Sequence, residues 1–118
     1  MSFEFYKESY AGGIKAISIG KGDKAITVGG ETCYPFYQFE GEMPHKPRIA
    51  MEIWDMEPEE WPAAALEPFK DVVSDPAAWA KKCVDEYGAE IIVLQLKSTD
   101  PNGNDASPAD ASAIVKKV

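Results

Sequence analysis

The sequence predicts an α/β chain in which an amino-terminal β-hairpin is followed by β/α units, and three observations carry that expectation. Two short β segments bracket a glycine-rich turn near the start. Two apolar strand candidates, residues 49–55 and 90–96, are separated by helical patterns. The two clearest helix starts each pair a capping side chain with a proline, at Asp75-Pro76 and Ser107-Pro108. Strands that alternate with helices pair in parallel through crossover connections. The order hairpin, strand, helices, strand, helix is therefore expected to be incomplete in this chain, as in the first part of a longer β/α domain such as a (β/α)8 barrel of the TIM type. On this reading residues 1–47 form the hairpin and an irregular aromatic segment, and residues 48–118 the first β/α units.

Residues 14–20 and 24–30 alternate partially and are joined through Gly20-Lys21-Gly22-Asp23, whose glycines permit positive φ; this is the hairpin. Residues 29–41 carry Tyr34, Phe36, Tyr37 and Phe39 among glycines and one proline, with neither helical nor strand period, and are expected to be a packed irregular segment. The strand at 49–55 follows Pro47. Pro58 suits a first helical turn, where a missing N–H is no loss, while Pro62 and Pro68 keep the helical pieces short. Asp75 is an N-cap carboxylate, and an apolar stripe runs through Trp79, Cys83, Val84 and Tyr87 until Gly88 stops the helix. Residues 90–96 are apolar without clean alternation, the pattern of a strand buried on both faces. Ser107, Pro108 and Asp110 repeat the cap logic, and Ala111, Ile114, Val115 and Val118 fall at helical spacing. A two-stranded parallel sheet leaves both edges open. The expectation is either the first part of a longer β/α domain or a fold completed by another chain covering that edge, and the former is favoured.

With 118 residues, 45% of them hydrophobic, the chain suits one domain or part of one. A net charge of −8 repels nucleic acid and anionic membranes, and Lys81-Lys82 and Lys116-Lys117 are too small to reverse it. No apolar run approaches the roughly 18–20 residues of a spanning helix, and the amino terminus lacks a signal-peptide pattern, so a soluble cytoplasmic protein is expected. Cys33 and Cys83 lie far apart without a C-x-x-C pair, which excludes a four-thiolate zinc or iron–sulfur site within the chain. Cys83, on the apolar stripe, reads as a buried structural thiol, and Cys33 as one packed among aromatics. His45, between Pro44 and Lys46, reads as a solvated loop histidine. No phosphate loop or dinucleotide fingerprint is present.

Chemistry in β/α folds sits just beyond the carboxyl ends of the strands. Two segments occupy that position here: Trp54-Asp55-Met56-Glu57, and the polar run that contains Ser98, Thr99, Asp100, Asn102, Asn104 and Asp105. The bland alternative weighs equally, because Asp, Asn, Pro and Gly each favour turns for backbone reasons. Glu52 and Asp55 fall on opposite strand faces and do not form an acid/base pair.

Longer stretches carry a resemblance. "VGGETCYPFYQFEGEMPHKPRIAMEIWDMEPEEWP", "DPAAWAKKCVDEYGAEIIVLQLKSTDPNG" and "DASPADA" are similar to the amino-terminal part of the small subunit of the corrinoid iron–sulfur protein, also described as the delta subunit of the acetyl-CoA decarbonylase/synthase complex. The resemblance covers the chain from about Gly12 onward. It implies a (β/α)8 barrel more than double this length, paired with a large subunit that holds a four-iron cluster and the corrinoid, or cobamide. It further implies that a methyl group passes from a methyl-tetrahydropterin to cobalt and then to acetyl-CoA synthase, in the reductive acetyl-CoA pathway. The implied partners are the large subunit, a methyltransferase and CO dehydrogenase/acetyl-CoA synthase, with no nucleic acid and no membrane. The subunit then has no catalytic residue of its own. Ser98, Thr99, Asp100, Asn102 and Asn104 are expected on the corrinoid-facing rim as partners for propionamide side chains, and Asp55 as a weaker candidate; these six follow from strand-end placement. The alternative is a pterin-binding methyltransferase barrel whose loops take methyl-tetrahydrofolate or its analogue directly.

Overall fold

The computed structural model describes residues 2–118. They divide into two compact units, residues 2–48 and 49–118.

In the first unit β1 (Ile17–Ile19) and β2 (Ile26–Val28) pair antiparallel, with Ile17 opposite Val28 and Ile19 opposite Ile26. The turn needs its glycines: Gly20 has φ +96° and Gly22 +60°, conformations that cost an L side chain free energy. A single 3-10 turn at Gly22–Lys24 completes the reversal. Beyond the hairpin the chain folds into a closed loop. Thr32 N–H donates to the Glu42 carbonyl, and Glu42 N–H returns to Thr32 Oγ1, both at 2.9 Å. Gly41 is required for that closure, since a Cβ there would stand 2.8 Å from Thr32 Oγ1 and 2.9 Å from Cys33 Cβ. The aromatic residues on this loop are not packed as expected. Tyr34, Tyr37 and Phe39 lie ring against ring, and these three and Phe36 remain exposed, because the loop's backbone closes on itself and leaves the rings outside. Cys33 and His45 are half-buried, and His45 lies beside Gly30 rather than free in solvent.

The second unit is a β/α arrangement. β3 (Ala50–Trp54) and β4 (Ile91–Gln95) run parallel, in register from Ala50 opposite Ile91 to Trp54 opposite Gln95. Between them lie a short helix, α1 (Ala63–Leu66), and α2 (Pro76–Asp85); α3 (Pro108–Lys117) follows β4. The first helical piece begins at Ala63 after Pro62 as its N-cap, not at Pro58. Trp61 precedes a proline and is biased to extended backbone, so a helix cannot run through it, and Pro58 is buried ahead of the helix. α2 starts as expected, with Asp75 accepting from Ala77 N–H at 3.1 Å and Pro76 in the first turn. α3 carries a capping box in which Ser107 Oγ accepts from Asp110 N–H and Asp110 accepts from Ser107 N–H.

The core of this unit gathers Ile53, Val73, Trp79, Ala80, Cys83 and Ala89. Met51, Leu66, Phe69, Ile92 and Leu94 pack around it. A chain of edge-on rings, Trp54–Trp61–Trp79, with centroids 5.2 and 5.8 Å apart, ties the end of β3 to α2. β4 is not buried on both faces. Ile92 and Leu94 face the core, whereas Val93 and Gln95 are exposed with Glu52 of β3, because the core covers only one side of the strand pair. The helical stripes are likewise half used. Trp79 and Cys83 are buried, but Val84 and Tyr87 are exposed; on α3 Ala111 is buried and Val115 and Val118 are exposed. No helix among the described residues is long and apolar enough to cross a membrane.

Candidate functional site

The parallel register brings the ends of β3 and β4 side by side, and the two chain exits are stitched together. Asp55 N–H donates to the Gln95 carbonyl at 3.1 Å, extending the ladder by one residue. The Asp55 carboxylate then accepts twice from Ser98: Oδ1 takes the backbone N–H at 3.0 Å and Oδ2 the side-chain hydroxyl. Asp55 and Ser98 are 9% and 8% exposed, the only buried polar residues of those described. A buried carboxylate needs such donors, since an unpaired one would shed its charge or destabilise the fold.

Ser98 is also the base of a closed loop. Its carbonyl accepts from Ala106 N–H at 2.9 Å, so residues 98–106 leave and return to one point. Inside the loop Asp100 performs turn chemistry: its Oδ1 accepts from Asn102 N–H at 2.8 Å, and its carbonyl accepts from Gly103 and Asp105 N–H at 3.0 Å each. Asp105 takes φ +47°, a left-handed conformation that aspartate tolerates better than most residues. Thr99 Oγ1 donates to the Leu96 carbonyl at 2.8 Å.

The six residues expected from strand-end placement thus separate into three kinds. Asp55 and Ser98 form a buried clamp beneath the rim. Thr99 and Asp100 are exposed but spend part of their hydrogen-bonding capacity on the loop's own backbone. Asn102 and Asn104 are exposed, and their side-chain amides take no part in the loop's hydrogen bonds among the described residues. Turn chemistry and an available polar surface coexist in one segment, on different side chains.

One feature of the rim escaped the sequence reading. Lys97 Nζ lies 4.8 Å from the centre of the Trp54 ring, whose indole N–H donates to Glu52 Oε1 at 3.1 Å. Each partner immediately precedes a member of the Asp55–Ser98 clamp, so the strand register that joins Asp55 to Ser98 also brings Trp54 and Lys97 together. Among the described residues no group of three His, Cys, Asp or Glu side chains could hold a metal ion. The rim offers a ligand the Asn102 and Asn104 amides and the Thr99 hydroxyl, with the Lys97 ammonium and the Asp100 and Asp105 carboxylates as its charged groups. Away from the rim, burial pushes the Cys83 thiol above its usual range, and it is held as a neutral, packed group.

The fold and the rim define an α/β protein that presents a preformed polar loop where two parallel strands end. The family described as CO dehydrogenase/acetyl-CoA synthase delta subunit matches residues 16–118, and the chain belongs to that family. It is 37% identical to the acetyl-CoA decarbonylase/synthase complex subunit delta of Archaeoglobus fulgidus, over 98% of this chain and 27% of that protein. The corresponding subunit of Methanocaldococcus jannaschii is 35% identical over 92% of this chain and 28% of its own length. Subunit delta 1 of Methanosarcina thermophila is 34% identical over 84% and 22%. The chain therefore spans about a quarter of the length of the curated relatives it matches.

Proposed function

We propose that this chain is part of a subunit that holds and caps a corrinoid within an acetyl-CoA decarbonylase/synthase complex, with β3 and β4 as neighbouring strands of a (β/α)8 barrel. The observation that carries the reading is the clamp of Asp55 on Ser98, which fixes an amide-bearing loop over two parallel strand exits in a chain of this family. The corrinoid supplies the methyl-accepting centre; the protein supplies binding, orientation and exclusion of water. Asn102 and Asn104 each offer both a carbonyl and an NH2 group, the complement of a propionamide, and Thr99 and Asp100 add acceptors beside them. Asp55 and Ser98 act one layer down, holding the loop's shape so that its amides are in place before the ligand arrives. The four-iron cluster and the corrinoid's remaining contacts are assigned to the large partner subunit, and a methyltransferase and the CO dehydrogenase/acetyl-CoA synthase are its exchange partners.

The test is the complex carrying Asn102→Ala together with Asn104→Ala in this subunit. Neither side chain contributes to the loop's own bonds, so folding is expected to survive. Cobalt per complex after dialysis, and the rate of methyl transfer to it, should both fall. Unchanged cobalt and rate would return the loop to a turn without a ligand. Binding of a methylated pterin by the full-length subunit alone, abolished by the same substitutions, would favour a pterin-binding barrel instead.

A further inference from the structure

Ahead of β1, residues 3–10 form neither helix nor strand, and every residue from Ser2 to Ser9 is exposed. Among the described residues the first backbone-to-backbone bond of this part of the chain is Ile14 N–H to the Glu31 carbonyl, at 2.9 Å. A segment with no ladder and few buried apolar contacts belongs to the low-stability end of a fold, where opening is local. One side chain nevertheless fastens it. Glu40, half-buried on the aromatic loop, accepts from Glu8 N–H through Oε1 at 3.0 Å and from the Tyr10 hydroxyl through Oε2. The Tyr10 hydroxyl is held protonated above the ordinary tyrosine range, first because it donates to Glu40 and then because it is partly desolvated there. Glu40 itself is fixed by the loop: its N–H donates to the Tyr37 carbonyl at 2.9 Å, and the loop is closed separately by the Thr32–Glu42 pair.

Two ring contacts accompany these bonds. Phe5 lies against Phe39 with centroids 5.7 Å apart, and Tyr10 meets Tyr34 edge-on at 5.4 Å. The segment therefore rests on the rings of its own chain. Its two donors, Glu8 and Tyr10, stand two residues apart on the two oxygens of one carboxylate, so each bond fixes backbone that the other needs. Losing either returns conformational freedom to the whole stretch, which couples the two contacts. Closed, the segment lies on Phe39 and Tyr34; open, it frees both rings and removes the Tyr10 wall of the groove that Tyr34, Gly12 and Gly13 also line.

We propose that residues 3–10 are a strap that opens and closes as one unit over the aromatic loop, with the Glu40 carboxylate as its latch, so that access to the Tyr34 and Phe39 rings is set by this chain's own segment. Hydrogen exchange on the full-length subunit tests it, with the Glu8 amide reporting on the strap and the Thr32 and Glu42 amides on the loop beneath. Tyr10→Phe keeps the ring and removes only a hydroxyl that is not bonded to Glu8, yet it should lower protection of the Glu8 amide about tenfold, the factor of one hydrogen bond to a charged acceptor. Glu40→Ala should abolish that protection. In both variants the Thr32 and Glu42 amides should keep theirs to within about twofold, because neither bond of the loop closure uses the Glu40 side chain. A Glu8 amide unprotected in the unaltered subunit, or still protected in Glu40→Ala, would overturn the latch. Glu8 protection within about twofold of the unaltered value in Tyr10→Phe would show two independent contacts and no single strap. Loss at Thr32 and Glu42 in either variant would make Glu40 part of the loop's fold, which also overturns the proposal.

Discussion

Replacing Asp55 by alanine removes a carboxylate that is 9% exposed and accepts two hydrogen bonds from Ser98. Bonds to a charged acceptor contribute about 1.5–3 kcal/mol each, and two bonds that share one carboxylate are not additive, so the loop's anchorage should weaken by about 3 kcal/mol. The effect is expected to be local as well as global, because the Ala106–Ser98 bond that closes the loop depends on Ser98 staying in place. Native-state hydrogen exchange on the full-length subunit reads it directly: protection of the Ser98 and Ala106 amides should fall by about a hundredfold. Asp55→Asn is the informative control. It keeps one oxygen to accept from Ser98 N–H and offers its amide to the hydroxyl, so about 1 kcal/mol should be lost. If Asp55→Ala leaves both amides protected to within about twofold, the clamp does not hold the loop and the reasoning fails.

Asp75 offers a test by pH. Its carboxylate, which caps α2, is held below the usual aspartate value first by the Lys117 ammonium at 3.0 Å and then by the Ala77 and Ala78 amides. A carboxyl group whose pKa is lower folded than unfolded contributes stability that is complete above the unfolded value and lost as pH falls through the folded one. Acidification below about 3.8, the ordinary aspartate value, should therefore fray α2 and release Lys117, and circular dichroism should show part of that loss absent in Asp75→Asn, whose amide oxygen still caps the helix. Thiol labelling under native conditions should modify Cys33 readily and Cys83 only on unfolding, since Cys83 is fully buried with a raised pKa. Equal labelling rates would show that the packing around Trp79 and Cys83 is open. Trp79→Ala should destabilise the second unit by about 3–5 kcal/mol, measured by denaturant unfolding, because it empties the centre of the aromatic stack. A loss below about 1 kcal/mol would mean that this stack is not the core.

How much of this was legible in the sequence depended on whether the cause was local. The caps at Asp75 and Ser107, the stop at Gly88 and the glycine turn of the hairpin were all readable, because each is decided within a few residues by backbone chemistry. The parallel pairing of β3 and β4 was readable from the alternation of strands and helices. Burial was not. β4 looked doubly buried because Ile91-Ile92-Val93-Leu94 is uniformly apolar, yet what covers a strand is decided by distant parts of the chain, and here one face is covered. The aromatic loop misled for a similar reason, since ring content signals contact without saying with what. At the rim the sequence placed a polar segment at a strand end but did not show the division of labour within it. That Asp55 pairs with Ser98, 43 residues away, follows only from strand register.

The most direct measurement of the central claim is hydrogen exchange across residues 98–106 in the intact complex, compared between corrinoid-loaded and corrinoid-stripped forms. Slower exchange on loading at the amides of residues 99–105, with the hairpin amides of residues 17–28 unchanged, is the predicted result. Identical exchange in the two forms across the rim loop would contradict its assignment to the cofactor-facing side of the subunit.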